Sequence, residues 1–112
     1  MLTPESKILE LVVEDFFGLW EIVWHLRSLL PNSTDSELRN IGESAVSKLI
    51  SKGWVALYRR SSTGGQEKPV SPNEVFGILS DKESWKEPTS NSIHILIGAT
   101  KEGEHAYATG ER

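Results

Sequence analysis

The chain has 112 residues, 38% of them hydrophobic and 25% charged, with a formal net charge of −4 at pH 7. This balance excludes a disordered or collagen-like chain and predicts one globular domain over residues 1–112. The absence of cysteine excludes disulfides and cysteine-ligated metal sites, and with no export signal or membrane-spanning apolar run we expect a soluble cytoplasmic protein.

The first thirty residues predict two helices. Thr3 followed by Pro4 is typical of an N-cap and first turn, and apolar residues then recur at helical spacing, which predicts a helix over about 4–14. Asp15 is the predicted N-cap of a second helix over about 16–30, which ends at a proline and a polar run.

Apolar residues occupy nearly every face of the second helix. We therefore expect it to form the centre of the core, with Trp20, Trp24 and Leu49 largely buried. We also expect a homodimer through the first or second helix, because a small monomer does not easily hide so much apolar surface. The apolar residues are Phe16, Phe17, Leu19, Trp20, Ile22, Val23, Trp24, Leu26, Leu29 and Leu30.

A third helix is predicted over about 35–52. Thr34 and Glu37 form the pattern of a capping box, and the apolar residues that follow keep one helical phase as far as Gly53, a residue typical of helix ends. Gly42 is the point inside this helix where a break is most expected.

The second half of the chain predicts two strands separated by a helix. Residues 54–60 alternate as a strand, with Trp54, Ala56 and Tyr58 on one face and Val55 and Leu57 on the other. The later elements are a turn-rich loop at 61–69, a helix at 72–80 opened by a capping box at Ser71 and Glu74, a turn around Trp85, a strand at 92–99 with Ile93, Ile95 and Ile97 on one face, a capped helix or turn at 100–108 packed by Tyr107, and a frayed tail at 109–112.

Two motifs resemble winged helix-turn-helix transcription regulators. "ESAVSKLISKGWVALYRR", residues 43–60, is similar to their recognition helix, glycine and first wing strand, and "ATKEGEHAY", residues 99–107, is similar to the segment that starts their closing helix. The resemblance implies an α+β winged-helix-like fold: three N-terminal helices, a two-stranded hairpin interrupted by a short helix, and a C-terminal helix or turn. Here an insertion at about 61–92 replaces the usual short wing tip.

If the resemblance extends to function, the outer face of the third helix lies in the DNA major groove. Asn40, Ser44, Ser47, Lys48 and Ser51 form that face and can hydrogen-bond to base edges or phosphates. The strand and helix ends would contact phosphates. These candidates are Lys52, Arg59, Arg60 and Lys68.

The charge distribution leaves a second function open. Residues 36–70 carry six basic and three acidic residues, whereas residues 1–35 carry two basic and six acidic, and residues 71–112 four basic and seven acidic. The positive middle segment suits DNA. The acidic ends suit a protein-interaction module that recognises a basic partner, such as an antitoxin, an immunity-type inhibitor or an adaptor.

Enzymatic chemistry is not expected from this sequence. His25, His94 and His105 lack the spacing of metal ligands, and the glycine-rich run "STGGQEK" lacks the lysine and hydroxyl residue that complete a phosphate-binding loop. No serine lies in a nucleophile-elbow context. We therefore predict a non-enzymatic regulatory protein without metal or cofactor, which binds DNA or, alternatively, a protein.

Overall fold

The computed structural model describes residues 3–61, 67–87 and 93–110. Residues 62–66 of the loop predicted at 61–69, and residues 111–112 of the tail predicted at 109–112, lie outside these ranges. In the described ranges the chain is an α+β fold of five α-helices, a 3₁₀ turn and a four-stranded antiparallel sheet. The helices are α1 (Pro4–Glu14), α2 (Leu19–Leu29), α3 (Asp35–Ser51), α4 (Pro72–Ser80) and α5 (Lys101–Thr109). The strands are β1 (Phe17–Gly18), β2 (Val55–Ser61), β3 (Lys68–Pro69) and β4 (Ile93–Ala99), and the 3₁₀ turn spans Lys82–Trp85.

Helix α1 begins where the sequence predicts. The Thr3 hydroxyl accepts a hydrogen bond from the Ser6 amide at 3.1 Å, and the Ser6 hydroxyl accepts one from the Thr3 amide at 3.1 Å. These reciprocal bonds satisfy amides that the first turn of a helix leaves unpaired. Ile8, Leu9 and Val12 are then buried on one side, and α1 packs against α3, α5 and β4.

The start of α2 corrects the prediction of a helix from residue 16. Phe17 and Gly18 form β1 and pair with β4, so the helix begins at Leu19. Asp15 is the C-cap residue of α1 rather than the N-cap of α2, and its carboxylate accepts a hydrogen bond from the Phe16 amide at 2.7 Å. Gly18 is the N-cap of α2 and donates its amide to Glu21 at 2.9 Å. An apolar run predicts burial but does not distinguish a helical turn from a strand that pairs with a distant segment.

The core corrects the predicted burial of one tryptophan. Leu49 is 1% exposed, as expected, and Trp20 is partly buried, but Trp24 is 64% exposed. When a helix is apolar on every side, its own sequence does not decide which face turns inward. The buried face of α2 consists of Leu19, Ile22 and Leu26.

Helix α3 confirms the predicted capping box and helix end. The Thr34 hydroxyl accepts from the Glu37 amide at 3.2 Å, and the Glu37 carboxylate accepts from the Thr34 amide at 2.9 Å. The helix continues through Gly42 without a break, and this glycine makes room for the Trp85 ring. Gly53 follows with φ +77°, a left-handed conformation that glycine adopts without steric strain.

The sheet has the order β1-β4-β2-β3, with every neighbouring pair antiparallel. Strands β2 and β4 pair along their whole length, with Leu57 opposite Ile97. Val55 and Leu57 are buried, whereas Ala56 and Tyr58 are partly exposed, which confirms the predicted alternation of faces.

Residues 67–87, the described part of the segment predicted to be an insertion, fold back onto the helices. Strand β3 pairs with β2, and α4 and the 3₁₀ turn then pack against α3 and α2. Val75, Leu79 and Trp85 are buried, and the Trp85 indole donates to the Leu79 carbonyl at 2.9 Å. This part of the insertion is therefore part of the core rather than a hairpin tip.

Helix α4 spans the predicted residues without the predicted capping box. Ser71 is the N-cap residue but makes no side-chain cap; its hydroxyl donates to the Glu74 carboxylate at 3.0 Å. Glu74 also accepts hydrogen bonds from Arg59 of β2. Glu74 therefore joins the start of α4 at Ser71 to the strand β2 at Arg59.

Helix α5 confirms the predicted capped helix at the C-terminal end. The Thr100 hydroxyl accepts from the Gly103 amide at 3.0 Å and donates to the Gly53 carbonyl at 2.6 Å, which ties α5 to the end of α3. Tyr107 packs against the core, also as predicted. None of the described helices combines the length and the apolar character needed to cross a bilayer.

Candidate interaction surfaces

The ridge predicted to enter the DNA major groove is the outer face of α3. Asn40, Ser44, Lys48 and Ser51 are exposed there, and Ser47 is partly exposed. A depression of about 400 Å³ lies between this ridge and the first turn of α1. Within the described residues, the amide and hydroxyl side chains of the ridge make no hydrogen bond, so their donors and acceptors face solvent.

Most of the basic residues predicted to contact phosphate are already paired with carboxylates of the same chain. Arg59 donates from both terminal guanidinium nitrogens to Glu74, at 3.2 and 3.3 Å, a bidentate geometry. Of the other predicted phosphate contacts, Arg60 pairs with Glu67 at 2.9 Å and Lys48 pairs with Glu5 at 3.3 Å.

The two adjacent arginines lie on opposite faces of β2. Successive side chains of a strand alternate in direction, so Arg59 shares the side of Leu57 and Arg60 shares the side of Tyr58. The two ion-pair partners lie in different parts of the structure: Glu74 in the first turn of α4 and Glu67 just before β3. The two arginines therefore do not form one positive patch.

The remaining basic candidates are also dispersed. The Lys52 ammonium lies 4.5 Å from the centre of the Trp54 ring, a cation–π contact at the end of α3. Lys68 is exposed in β3. Arg39 lies on a different side of α3 from the ridge, in the cleft described below.

Among the described residues, three carboxyl groups have a lowered pKa, and each belongs to an ion pair or a helix cap. Hydrogen bonds from Arg59, and then from the Ser71 hydroxyl, lower the pKa of Glu74. The backbone amide of Thr34 lowers the pKa of Glu37, and the backbone amide of Glu5 itself, assisted by Lys48, lowers the pKa of Glu5.

A cleft lined by three tryptophans, which we call the tryptophan cleft, lies between α2, the start of α3 and the 3₁₀ turn. Its volume is about 390 Å³. Trp20 and Trp24 meet edge to face with ring centres 5.5 Å apart, and the buried Trp85 is the third tryptophan of the lining. The charged residues of its lining are Arg27, Arg39, Lys82, Lys86, Asp35 and Glu87.

A second surface, which we call the phenylalanine groove, lies between the end of α3, β2 and α4. Its volume is about 380 Å³, and Ser51 is the one polar residue among the described residues that line it. Phe76 is 59% exposed at this groove. Residues 43–60, the stretch that resembles a recognition helix and first wing strand, thus border an apolar surface.

The histidines are not gathered into a metal site in the part of the chain that the structure describes. His25 packs edge to face against Phe17, with ring centres 5.5 Å apart, and no group of three or more potential metal-ligating side chains occurs among the described residues.

Comparison with family models, curated proteins and solved structures finds no match.

The sequence alone does not reveal the two surfaces. The tryptophan cleft combines residues from three segments, and its one local signal is an excess of tryptophan in an apolar helix, which predicts core just as well. The structure also reduces the surface behind the predicted homodimer: of the ten apolar residues in 16–30, only Phe16 and Trp24 are exposed. The homodimer stays a prediction.

Proposed function

We propose that this protein is a non-enzymatic regulatory module on a winged-helix-like scaffold and that its partner is a protein rather than DNA. The observation that carries the proposal is the internal neutralisation of three predicted phosphate contacts, by Glu5, Glu67 and Glu74. DNA binding at these residues would require each phosphate to displace a carboxylate that is held by the same fold.

The order of elements supports the winged-helix-like scaffold. Three helices are followed by a strand, an excursion, a returning strand and a closing helix, the order that the resemblance implies. The excursion packs on α2 and α3 within its described residues, so it offers no projecting hairpin tip there. A scaffold of this kind keeps the arrangement of the regulators while replacing the wing as a nucleic-acid contact.

The charge balance supports a protein partner further. A specific DNA-binding protein that neutralises several phosphates needs about as many free lysines or arginines on one face. Here the arginines of β2 lie on opposite sides of the sheet, and Arg39 lies in the tryptophan cleft, away from the ridge of α3. The chain as a whole carries a net charge of −4, which opposes approach to DNA.

The exposed aromatic side chains support the same conclusion. Trp24 is 64% exposed beside the tryptophan cleft, and Phe76 is 59% exposed beside the phenylalanine groove. Tryptophan and arginine are the residue types most enriched among those that dominate binding energy in protein interfaces.

Titration of a fluorescent random DNA duplex tests the choice between protein and DNA. At about 50 mM salt even weak electrostatic DNA binders register, and we expect no binding by the wild type at tens of micromolar protein. A charge-reversed variant, Arg59→Glu with Arg60→Glu, should give the same result. Binding by the wild type that weakens with salt and is lost in this variant would contradict the proposal.

DNA binding is the second candidate, and the exposed ridge of α3 favours it. Asn40, Ser44 and Ser51 present unused donors and acceptors on one helix face, the arrangement that reads base edges in a major groove. If this candidate holds, Asn40→Ala and Ser44→Ala should weaken binding only at a preferred sequence and leave the salt dependence unchanged. Selection from a random duplex pool, followed by titration of the selected site, measures both quantities.

A further inference from the structure

We propose that the tryptophan cleft is the partner-binding site and that its occupant is an acidic peptide segment with a large apolar or aromatic side chain. The inference rests on the proposed function and names the chemistry of the partner. It reverses the expectation from sequence, in which the acidic ends of the chain recognise a basic partner.

Charge is the first argument. The lining contains four basic and two acidic side chains, in a chain whose net charge is −4. Asp35 pairs with Arg27, and Lys86 pairs with Glu83 at 3.2 Å. Among the described residues, Arg39 and Lys82 have no ion-pair partner. They offer two positive groups to the carboxylates of an occupant.

The tryptophans supply the second argument. Trp24 is exposed although burial of such a ring removes on the order of 150–250 Å² of mostly apolar surface from water. Trp24 contacts Trp20 edge to face, and Trp85 is held by the hydrogen bond to the Leu79 carbonyl and by its packing over Gly42. The apolar part of the cleft is therefore formed before any partner arrives, which lowers the entropic cost of binding.

The combination favours a peptide over the other occupants. A nucleic-acid strand requires a track of basic residues along its backbone, whereas the cleft has two unpaired cations and the carboxylate of Glu87. A second copy of this chain, docked cleft to cleft about a two-fold axis, would bring Arg39 and Lys82 towards their own copies. An acidic segment with one large apolar side chain satisfies both the charges and the rings.

Selection of peptides from a random library displayed on phage, panned on the immobilised full chain, tests the inference. We expect enriched sequences with aspartate or glutamate beside an aromatic or large aliphatic residue. Synthetic copies of them should bind about tenfold or more weakly to Trp24→Ala, a loss typical of a central interface residue. The double variant Arg39→Glu with Lys82→Glu should show a similar loss.

Matched controls separate the cleft from the rest of the surface. Phe76→Ser removes an equally exposed aromatic side chain from the phenylalanine groove, and Lys101→Glu reverses an exposed charge on α5; neither should change peptide affinity. Trp24 and Lys82 are exposed, so their variants should fold, and circular dichroism checks this.

Several outcomes overturn the inference. It fails if no acidic and apolar motif is enriched, or if Trp24→Ala binds the selected peptides as well as the wild type does. It also fails if a nucleotide is the ligand of the cleft. In that case oligothymidine or adenosine monophosphate would quench the tryptophan fluorescence of the wild type but not that of Trp24→Ala. The inference is also overturned if the wild type forms a homodimer that dissociates in the Trp24→Ala variant. Peptides that bind elsewhere would remove the cleft assignment and leave the proposed function intact, whereas wild-type binding to the random duplex would remove the function itself.

Discussion

Arg59 of β2 and Glu74 of α4 are joined by two hydrogen bonds, at 3.2 and 3.3 Å, across the junction between the sheet and the insertion. The pair occupies the guanidinium that the resemblance assigns to DNA phosphate. Glu74 also accepts a hydrogen bond from the Ser71 hydroxyl at the start of α4, at 3.0 Å. One ion pair thus connects β2 with α4 and involves a side chain predicted to contact nucleic acid.

Release of the two arginines should raise the affinity for DNA above that of the wild type. In the double variant Glu67→Gln with Glu74→Gln, Arg59 and Arg60 lose their carboxylate partners and become free to contact phosphate. We expect measurable binding to a random duplex at about 50 mM salt, with a log–log salt slope of up to about two. The matched control is Glu102→Gln with Glu104→Gln on exposed positions of α5, which changes the net charge equally. Equal gains in both variants would show that net charge, not release of the arginines, is responsible.

The tryptophans on the two sides of the cleft should differ in their effect on stability. Trp85 is 5% exposed and Trp24 is 64% exposed. Truncation of Trp85 to alanine should lower the free energy of unfolding by about 3–5 kcal/mol, because a cavity is left beneath α3. Truncation of Trp24 should change it by no more than about 0.5 kcal/mol. Urea denaturation measures both; a large loss in Trp24→Ala would mean that its ring is buried in solution.

Two glycine-to-alanine substitutions should change the stability of the protein in opposite directions. A Cβ atom at Gly103 would clash with the backbone carbonyl oxygen of Trp54, and no side-chain movement relieves such a clash. At Gly77, in the exposed part of α4, nothing lies within 4 Å of a Cβ atom. Gly77→Ala should therefore stabilise the protein by about 0.5–1 kcal/mol through helix propensity.

Gly103→Ala should destabilise the protein by several times the gain at Gly77, because α5 must move away from the Trp54 backbone to accept the new methyl group. Thermal unfolding of the two variants beside the wild type measures the difference. A neutral Gly103→Ala variant would show that α5 does not lie against Trp54 as described.

The contribution of Glu74 to stability should depend on pH in a defined direction. Its pKa in the folded protein lies below the ordinary value of 4.5, first because of Arg59 and then because of Ser71. The stabilisation is therefore fully present above the ordinary value and is lost as the pH falls through the lower, folded-state pKa. The stability difference between the wild type and Glu74→Gln should shrink from about pH 6 towards pH 3. A difference that grows on acidification would contradict this assignment, and Glu104→Gln serves as the control.

The sequence by itself determined the local elements of this protein. The capping patterns at Thr3 and Thr34, the proline at the start of α4 and the glycine after α3 act through bonds within a few residues, so they predict helix positions correctly. The alternation at Val55 and Leu57 likewise follows from the period of a strand, which is independent of its partners.

Only the tertiary structure decided which apolar face turns inward, where the second helix starts and which charges are free. These outcomes depend on contacts between residues far apart in sequence: Phe17 with β4, Arg59 with Glu74, and Trp85 over Gly42. A local pattern states how much a segment must bury but not against what. For that reason Trp24, predicted to be core, is the most exposed ring of the tryptophan cleft, and arginines adjacent in sequence lie on opposite faces of the sheet.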